Sequence, residues 1–115
     1  NLFLKNKKGR QFYLIIIPTT KTLDLKKTKE MLEEKKLGFA NEVELKEILD
    51  LTPGSVSILG LLNDKEKKVK LYIDKELWEA KEVSFHPNEN TASLVVDKKT
   101  FHTITKILKP DFQLI

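Results

Sequence analysis

A single α+β domain built on a mixed sheet is the fold class this sequence predicts, and three patterns point to it. Gln11 to Ile17 (QFYLIII) is β-branched, aromatic and almost continuously apolar, as a strand buried on both faces is. Val69, Leu71 and Ile73 alternate with Lys70 and Tyr72, the period-two pattern of a half-buried strand. Asp24, Asn41 and Asp97 each precede a stretch with helical apolar spacing, where a short polar side chain can accept from the unpaired N–H groups of a first turn. The 115 residues hold no internal repeat, low-complexity tract or linker, so strands and helices share one modest core.

In chain order, Leu2-Phe3-Leu4 reads as a short strand and Asn6 to Arg10 as a hairpin tip, with Gly9 where φ > 0 is useful. The apolar strand Gln11 to Ile17 stops at Pro18. Thr22 or Asp24 caps a helix from Leu25 to Lys35, with Leu25, Met31 and Leu32 inward. Leu37 to Ala40 is a brief strand. Asn41 caps a helix from Glu42 to Leu49, in which Val43, Leu45, Ile48 and Leu49 keep helical spacing. Ile58 to Leu62 is apolar and expected to be buried. Asp74 caps one helical turn through Trp78. Glu82 to His86 and Ala92 to Val96 are strands around the polar turn Pro87 to Thr91. Asp97 caps a last helix, Lys98 to Leu108, with Phe101, Ile104, Ile107 and Leu108 as its buried stripe. Pro110 ends it, and Phe112 to Leu114 adds an edge strand.

Charged residues make up 33% and hydrophobic ones 40%, a balance that excludes a disordered chain. No apolar run approaches the ~20 residues that span a bilayer, and no secretory pattern opens the chain. No membrane partner is expected, and the expected location is cytoplasmic. The absence of cysteine excludes disulfide scaffolds, thiol catalysis and thiolate-bound zinc. A net charge of +4 leaves 21 basic against 17 acidic residues, so a positive surface has to come from clustering. Lys5, Lys7, Lys8 and Arg10 form one cluster and Lys65, Lys67, Lys68 and Lys70 another. Both read first as solvated hairpin tips. The start at Asn1, without methionine and directly in a strand, reads as a domain 1–115 that is incomplete at its N-terminus.

The stretch with the most chemistry is Leu51 to Asp64. Pro53-Gly54 is a turn signal, and the two serines beside the glycine leave backbone N–H groups able to face a ligand. His86 ends a strand, precedes a proline, and is followed by Asn88, Asn90 and Thr91, a setting suited to a polar ligand. His102, inside a helix, reads as packing or surface. The two histidines find no carboxylate partners for a metal site, so no metal and no cofactor is expected. No Ser-His-Asp order, nucleophile elbow or phosphate loop is recognisable, and the strands offer no aromatic platform for RNA bases. Pattern alone stops at an α+β domain with a pocket between loop 52–58 and turn 86–91.

Those two stretches, Leu51-Thr52-Pro53-Gly54-Ser55-Val56-Ser57 and Phe85-His86-Pro87-Asn88-Glu89-Asn90-Thr91, resemble the YbaK/prolyl-tRNA-synthetase-editing family of aminoacyl-tRNA deacylases. Asn1-Leu2-Phe3-Leu4, Leu23-Asp24-Leu25, Gly60 to Asp64 and Ile73-Asp74 match in order and spacing. Within the family, the branch that removes alanine from tRNA for proline is the most similar. The resemblance implies the editing-domain fold, a mostly antiparallel, barrel-like core flanked by helices. It also implies a small aminoacyl pocket under the 3′-CCA end of mischarged tRNA, with prolyl-tRNA synthetase a partner in cis or in trans. It assigns catalysis to Gly54 and His86, and substrate binding to Asn1, Ser55, Val56, Ser57, Ile58 and Asn90. Loop N–H groups would hold the oxyanion, and water assisted by the substrate's ribose hydroxyl would attack. Two departures stand out. The family's catalytic lysine precedes the residue matching Asn1, and Lys5 is not its equivalent. The family loop usually ends in proline where this chain has Ile58. The alternative functions are a catalytically silent module of the same fold that binds the tRNA end, and a synthetase-docking domain.

Overall fold

The apolar run lies at the centre of a five-stranded sheet. The computed structural model describes residues 1–7, 9–85 and 94–115. Strands β1 (Leu2–Asn6), β2 (Phe12–Ile16), β3 (Leu37–Phe39), β4 (Val69–Ile73) and β7 (Gln113–Leu114) are ordered β3-β1-β2-β4-β7. β1 pairs antiparallel with both β2 and β3, while β4 lies parallel to β2 and β7 parallel to β4. A second, two-stranded antiparallel sheet joins β5 (Glu82–Phe85) to β6 (Leu94–Asp97). Helices α1 (Leu25–Met31), α2 (Glu42–Leu49), α3 (Lys75–Trp78) and α4 (Lys98–Leu108), with a 3-10 helix at Ile58–Asn63, complete an α+β domain on a mixed sheet. His86, the turn 87–91 with Asn90, Ala92 and Lys8 lie outside the described residues.

Alternate side chains of the central strands enter two cores. Phe3, Phe12, Leu14, Ile16, Val69, Leu71 and Ile73 face α2, the 3-10 helix, α4 and Val83 of β5. Leu4, Tyr13 and Ile15 face the other way, against Leu23, Leu25, Leu32 and Leu37. All five residues of β2 are therefore buried, which is why its sequence shows no alternation.

The caps form as their chemistry requires. Asp24 accepts from the N–H groups of Lys26 and Lys27. Asn41 and Glu44 make a reciprocal capping box, and Asp97 accepts from Thr100. Several expectations fail. α1 stops at Met31 rather than Lys35, because Glu33 takes a left-handed φ of 58° and Glu34 N–H closes back on the Lys29 carbonyl. Met31, in that last turn, is 46% exposed. On α4 the buried stripe runs through Thr105, whose hydroxyl donates to the Phe101 carbonyl at 2.8 Å, and leaves Ile107 73% exposed. Val43 and Leu62 are likewise exposed.

Gly60 is fixed by close approach. A Cβ there would lie 2.6 Å from Leu51 Cδ1 and 3.1 Å from Leu49 Cβ. Gly60→Ala is expected to destabilise the domain by about 1–3 kcal/mol through overpacking, read as a lowered denaturant midpoint at constant m-value.

Candidate functional site

Three chain segments converge at the edge of the sheet where β2 and β4 end. β1 is antiparallel to β2 and pairs Leu2 with Ile15, so its first residues reach the same edge. There Asn1 donates from Nδ2 to the Val56 carbonyl at 2.9 Å, fastening the start of β1 to the glycine loop. Between these pieces opens a cleft of about 510 Å³. Ile16, Ile58, Leu77, Val83 and Phe101 give it apolar walls, and Asn1, Thr19, Thr20 and Ser84 supply polar groups. Glu82 is the one charged side chain among its described lining residues. The size and mixed lining suit a small organic ligand.

The loop is built as its sequence suggests. Thr52 to Ser55 form a turn closed by Ser55 N–H on the Thr52 carbonyl at 3.1 Å, with Gly54 at φ 89° in the position that demands a left-handed residue. The Ser55 hydroxyl returns to the Thr52 carbonyl and lies 3.0 Å from the Thr52 hydroxyl. The fully buried Ser57 hydroxyl caps the 3-10 helix by accepting from Leu59 N–H. Both serine hydroxyls are therefore committed to the loop's own architecture. The main-chain N–H groups of Gly54, Val56 and Ser57 make no hydrogen bond among the described residues. Ile58 occupies the first position of the 3-10 helix, which has no intrahelical acceptor, so a proline there would forfeit no bond and isoleucine adds one more donor.

Of the residues expected from sequence, the structure brings Asn1, Gly54, Val56 and Ile58 to the cleft and turns the side chains of Ser55 and Ser57 away from it. His86 and Asn90 fall outside the described residues. His102 is a packing residue: its ring stacks on Trp78 at 3.6 Å and its Nε2 lies 2.7 Å from the Trp78 carbonyl oxygen. No group of three or more metal-ligating side chains exists among the described residues. The segment Ile16 to Thr20, with Glu82, Leu77 and Phe101, escaped sequence reasoning. One signal was available: Pro18-Thr19-Thr20 follows the carboxyl end of the most apolar strand, where sheets containing parallel strands place ligands. Lys21 anchors this segment through ion pairs to Asp74 at 3.1 Å and Glu76 at 2.8 Å. Hydrogen bonds to Glu76 and Asp74 raise its pKa above the usual lysine value.

The chain has recognisable relatives among known proteins. The family model of the aminoacyl-tRNA editing domain matches residues 1–104. The chain is 38% identical over 115 residues to the prolyl-tRNA editing protein ProX of Acetoanaerobium sticklandii, covering all of this chain and 70% of that protein. It is 30% identical over 110 residues to prolyl-tRNA synthetase associated domain-containing protein 1 of Bos taurus, covering 92% of this chain and 64% of that protein. A solved structure described as a candidate trans-editing enzyme for prolyl tRNA synthetase shares the fold, with a TM-score of 0.76 at 22% identity over 99% of this chain and 65% of that one. No helix among the described residues is long and apolar enough to cross a membrane.

Proposed function

The chain belongs to the aminoacyl-tRNA editing domain family, and from that premise we propose that it hydrolyses the ester of mischarged tRNA for proline, with alanine the residue removed. The observation that carries this reading is the cleft between the glycine loop and Asn1. It joins a small apolar chamber to a row of main-chain donors without acceptors among the described residues. The aminoacyl side chain sits against Ile58 and Phe101, and a larger one is rejected sterically. The ester carbonyl faces the N–H groups of Gly54, Val56 and Ser57. Ser55 contributes by holding the turn that aims them.

Water adds to the carbonyl carbon and the carbonyl electron pair moves onto oxygen, where those donors hold it. Collapse expels the ribose 3′ oxygen, which takes up a proton, leaving a free amino acid and a tRNA 3′-hydroxyl. The neighbouring ribose 2′-hydroxyl carries the proton of the attacking water. Asn1 binds that ribose, and His86 and Asn90 orient the terminal nucleotide. The place of action is the cytoplasm, beside prolyl-tRNA synthetase and in cis or in trans to it.

Deacylation of alanyl-, cysteinyl- and prolyl-tRNA for proline by the full-length protein tests this, with His86→Ala as a control. Selective release of alanine, lost in the variant, is expected. Release of cysteine instead overturns the substrate and keeps the chemistry. No release from any of the three, with the fold intact, leaves a tRNA-end-binding module.

A further inference from the structure

Charge is segregated among the helices. α2 carries Glu42, Glu44 and Glu47 against one lysine, whereas α4 carries Lys98, Lys99 and Lys106 and no acidic residue. Lys99, His102, Thr103 and Lys106 recur at three, four and seven residues, so they line one face of the helix. With Lys98 they border a shallow groove of about 450 Å³. The nearby carboxylates are already engaged: Glu79 pairs with Lys98 at 2.7 Å, and Asp97 caps the helix. Lys99 and Lys106 are exposed and make no ion pair among the described residues.

The helix that carries this face also reaches the cleft, but from its opposite, buried side. Phe101 lines the cleft from the first turns of α4, and Leu77 lines it beside Trp78, on which His102 stacks. At the other end of the helix its cap residue Lys109 joins Lys67 and Lys70, with Asp111, around a groove of about 330 Å³. That groove also holds Gln11, just before β2, so it lies at the opposite end of the sheet from the cleft. A positive track thus runs the ~16 Å of α4 on its outer side, starting at the end of the helix whose inner side reaches the cleft.

We propose that the α4 lysine face docks the phosphate backbone of the tRNA acceptor end while the terminal aminoacyl-adenosine occupies the cleft. The assignment rests on the deacylase reading for its substrate. A polyanion rooted in the cleft has to leave it over some surface, and this one offers Lys99 and Lys106, exposed and without an ion pair among the described residues. The lysine cluster at 65–70 acquires a role through Lys67 and Lys70 at the far end of the track.

The test neutralises the track and compares two substrates. For Lys99→Gln/Lys106→Gln, KM for alanyl-tRNA should rise by about tenfold, and the slope of log affinity against log salt should shrink by about two. Hydrolysis of alanyl-adenosine, which carries no phosphate, should be unchanged, which also shows that the variant folds. Unaltered tRNA kinetics and salt slope overturn the proposal and leave the face to a protein partner. An equal loss on alanyl-adenosine also overturns it, because the effect would then act through the cleft. If the wild type hydrolyses neither ester, the deacylase reading falls. Fluorescence-anisotropy binding of uncharged tRNA then decides the docking face alone by the same change in slope.

Discussion

Gly54→Val is expected to lower kcat on alanyl-tRNA by about 10²–10³-fold while the domain stays folded, the loss that follows removal of oxyanion donors elsewhere. The position is open, with nothing within 4 Å of a Cβ built there, so no packing clash unfolds the protein. The difficulty is the backbone. At φ 89° a β-branched residue is strained by roughly 1–3 kcal/mol, and the turn relieves that strain by rotating out of its left-handed conformation. Rotation breaks the bond from Ser55 N–H to the Thr52 carbonyl and swings the Val56 and Ser57 N–H groups off the cleft. Steady-state kinetics beside a thermal melt separate the effects: a large fall in kcat with a small fall in Tm is the expected result. Wild-type turnover in a folded Gly54→Val protein would mean that the loop does not hold the reacting carbonyl.

Phe101→Ala should cost about 3–5 kcal/mol, the range for truncating a fully buried phenylalanine. Phe101 is 1% exposed and meets Trp78 edge-on, with ring centroids 5.7 Å apart. Trp78 in turn packs on His102 and Phe112, so one truncation loosens the aromatic cluster tying α4 to α3. Against a total stability of about 5–15 kcal/mol, the loss is a large fraction, and Tm should fall by more than about 10 °C. Because the ring also lines the cleft, the cavity it leaves enlarges the aminoacyl chamber. Discrimination against prolyl-tRNA should therefore weaken, read as a ratio of kcat/KM values at a temperature where the variant is folded. A change in Tm under 2 °C would show that the ring is not the keystone of this interface.

What was legible in the sequence was local. Asp24, Asn41, Asp74 and Asp97 announced helix starts because a cap acts on N–H groups two or three residues away. The end of α1 was hidden because a glutamate, Glu33, adopts the conformation usually left to glycine. Ile107 was expected inside and Thr105 was not, since a threonine that bonds its own helix is buried at little cost and apolar spacing does not register it. The glycine loop was readable from Pro53-Gly54, and Asn1 from the family resemblance. For Ser55 and Ser57 the sequence pointed to backbone N–H groups facing a ligand, and the hydroxyls of both are engaged within the loop itself. Thr19, Thr20, Glu82 and Phe101 reach the cleft only through tertiary packing, including the parallel pairing of β2 with β4, which no local pattern encodes.

The central claim is that aminoacyl-adenosine binds between the glycine loop and Asn1. The most direct test titrates the 15N-labelled protein with an alanyl-amide analogue of adenosine that cannot be hydrolysed, following backbone amides by NMR. Saturable shifts at Gly54, Val56, Ser57, Thr19 and Thr20, with the Asn1 side-chain amide moving alongside, are the predicted result. Shifts confined to another groove, such as that between Lys21 and Ile115, with the loop amides unmoved, would contradict it.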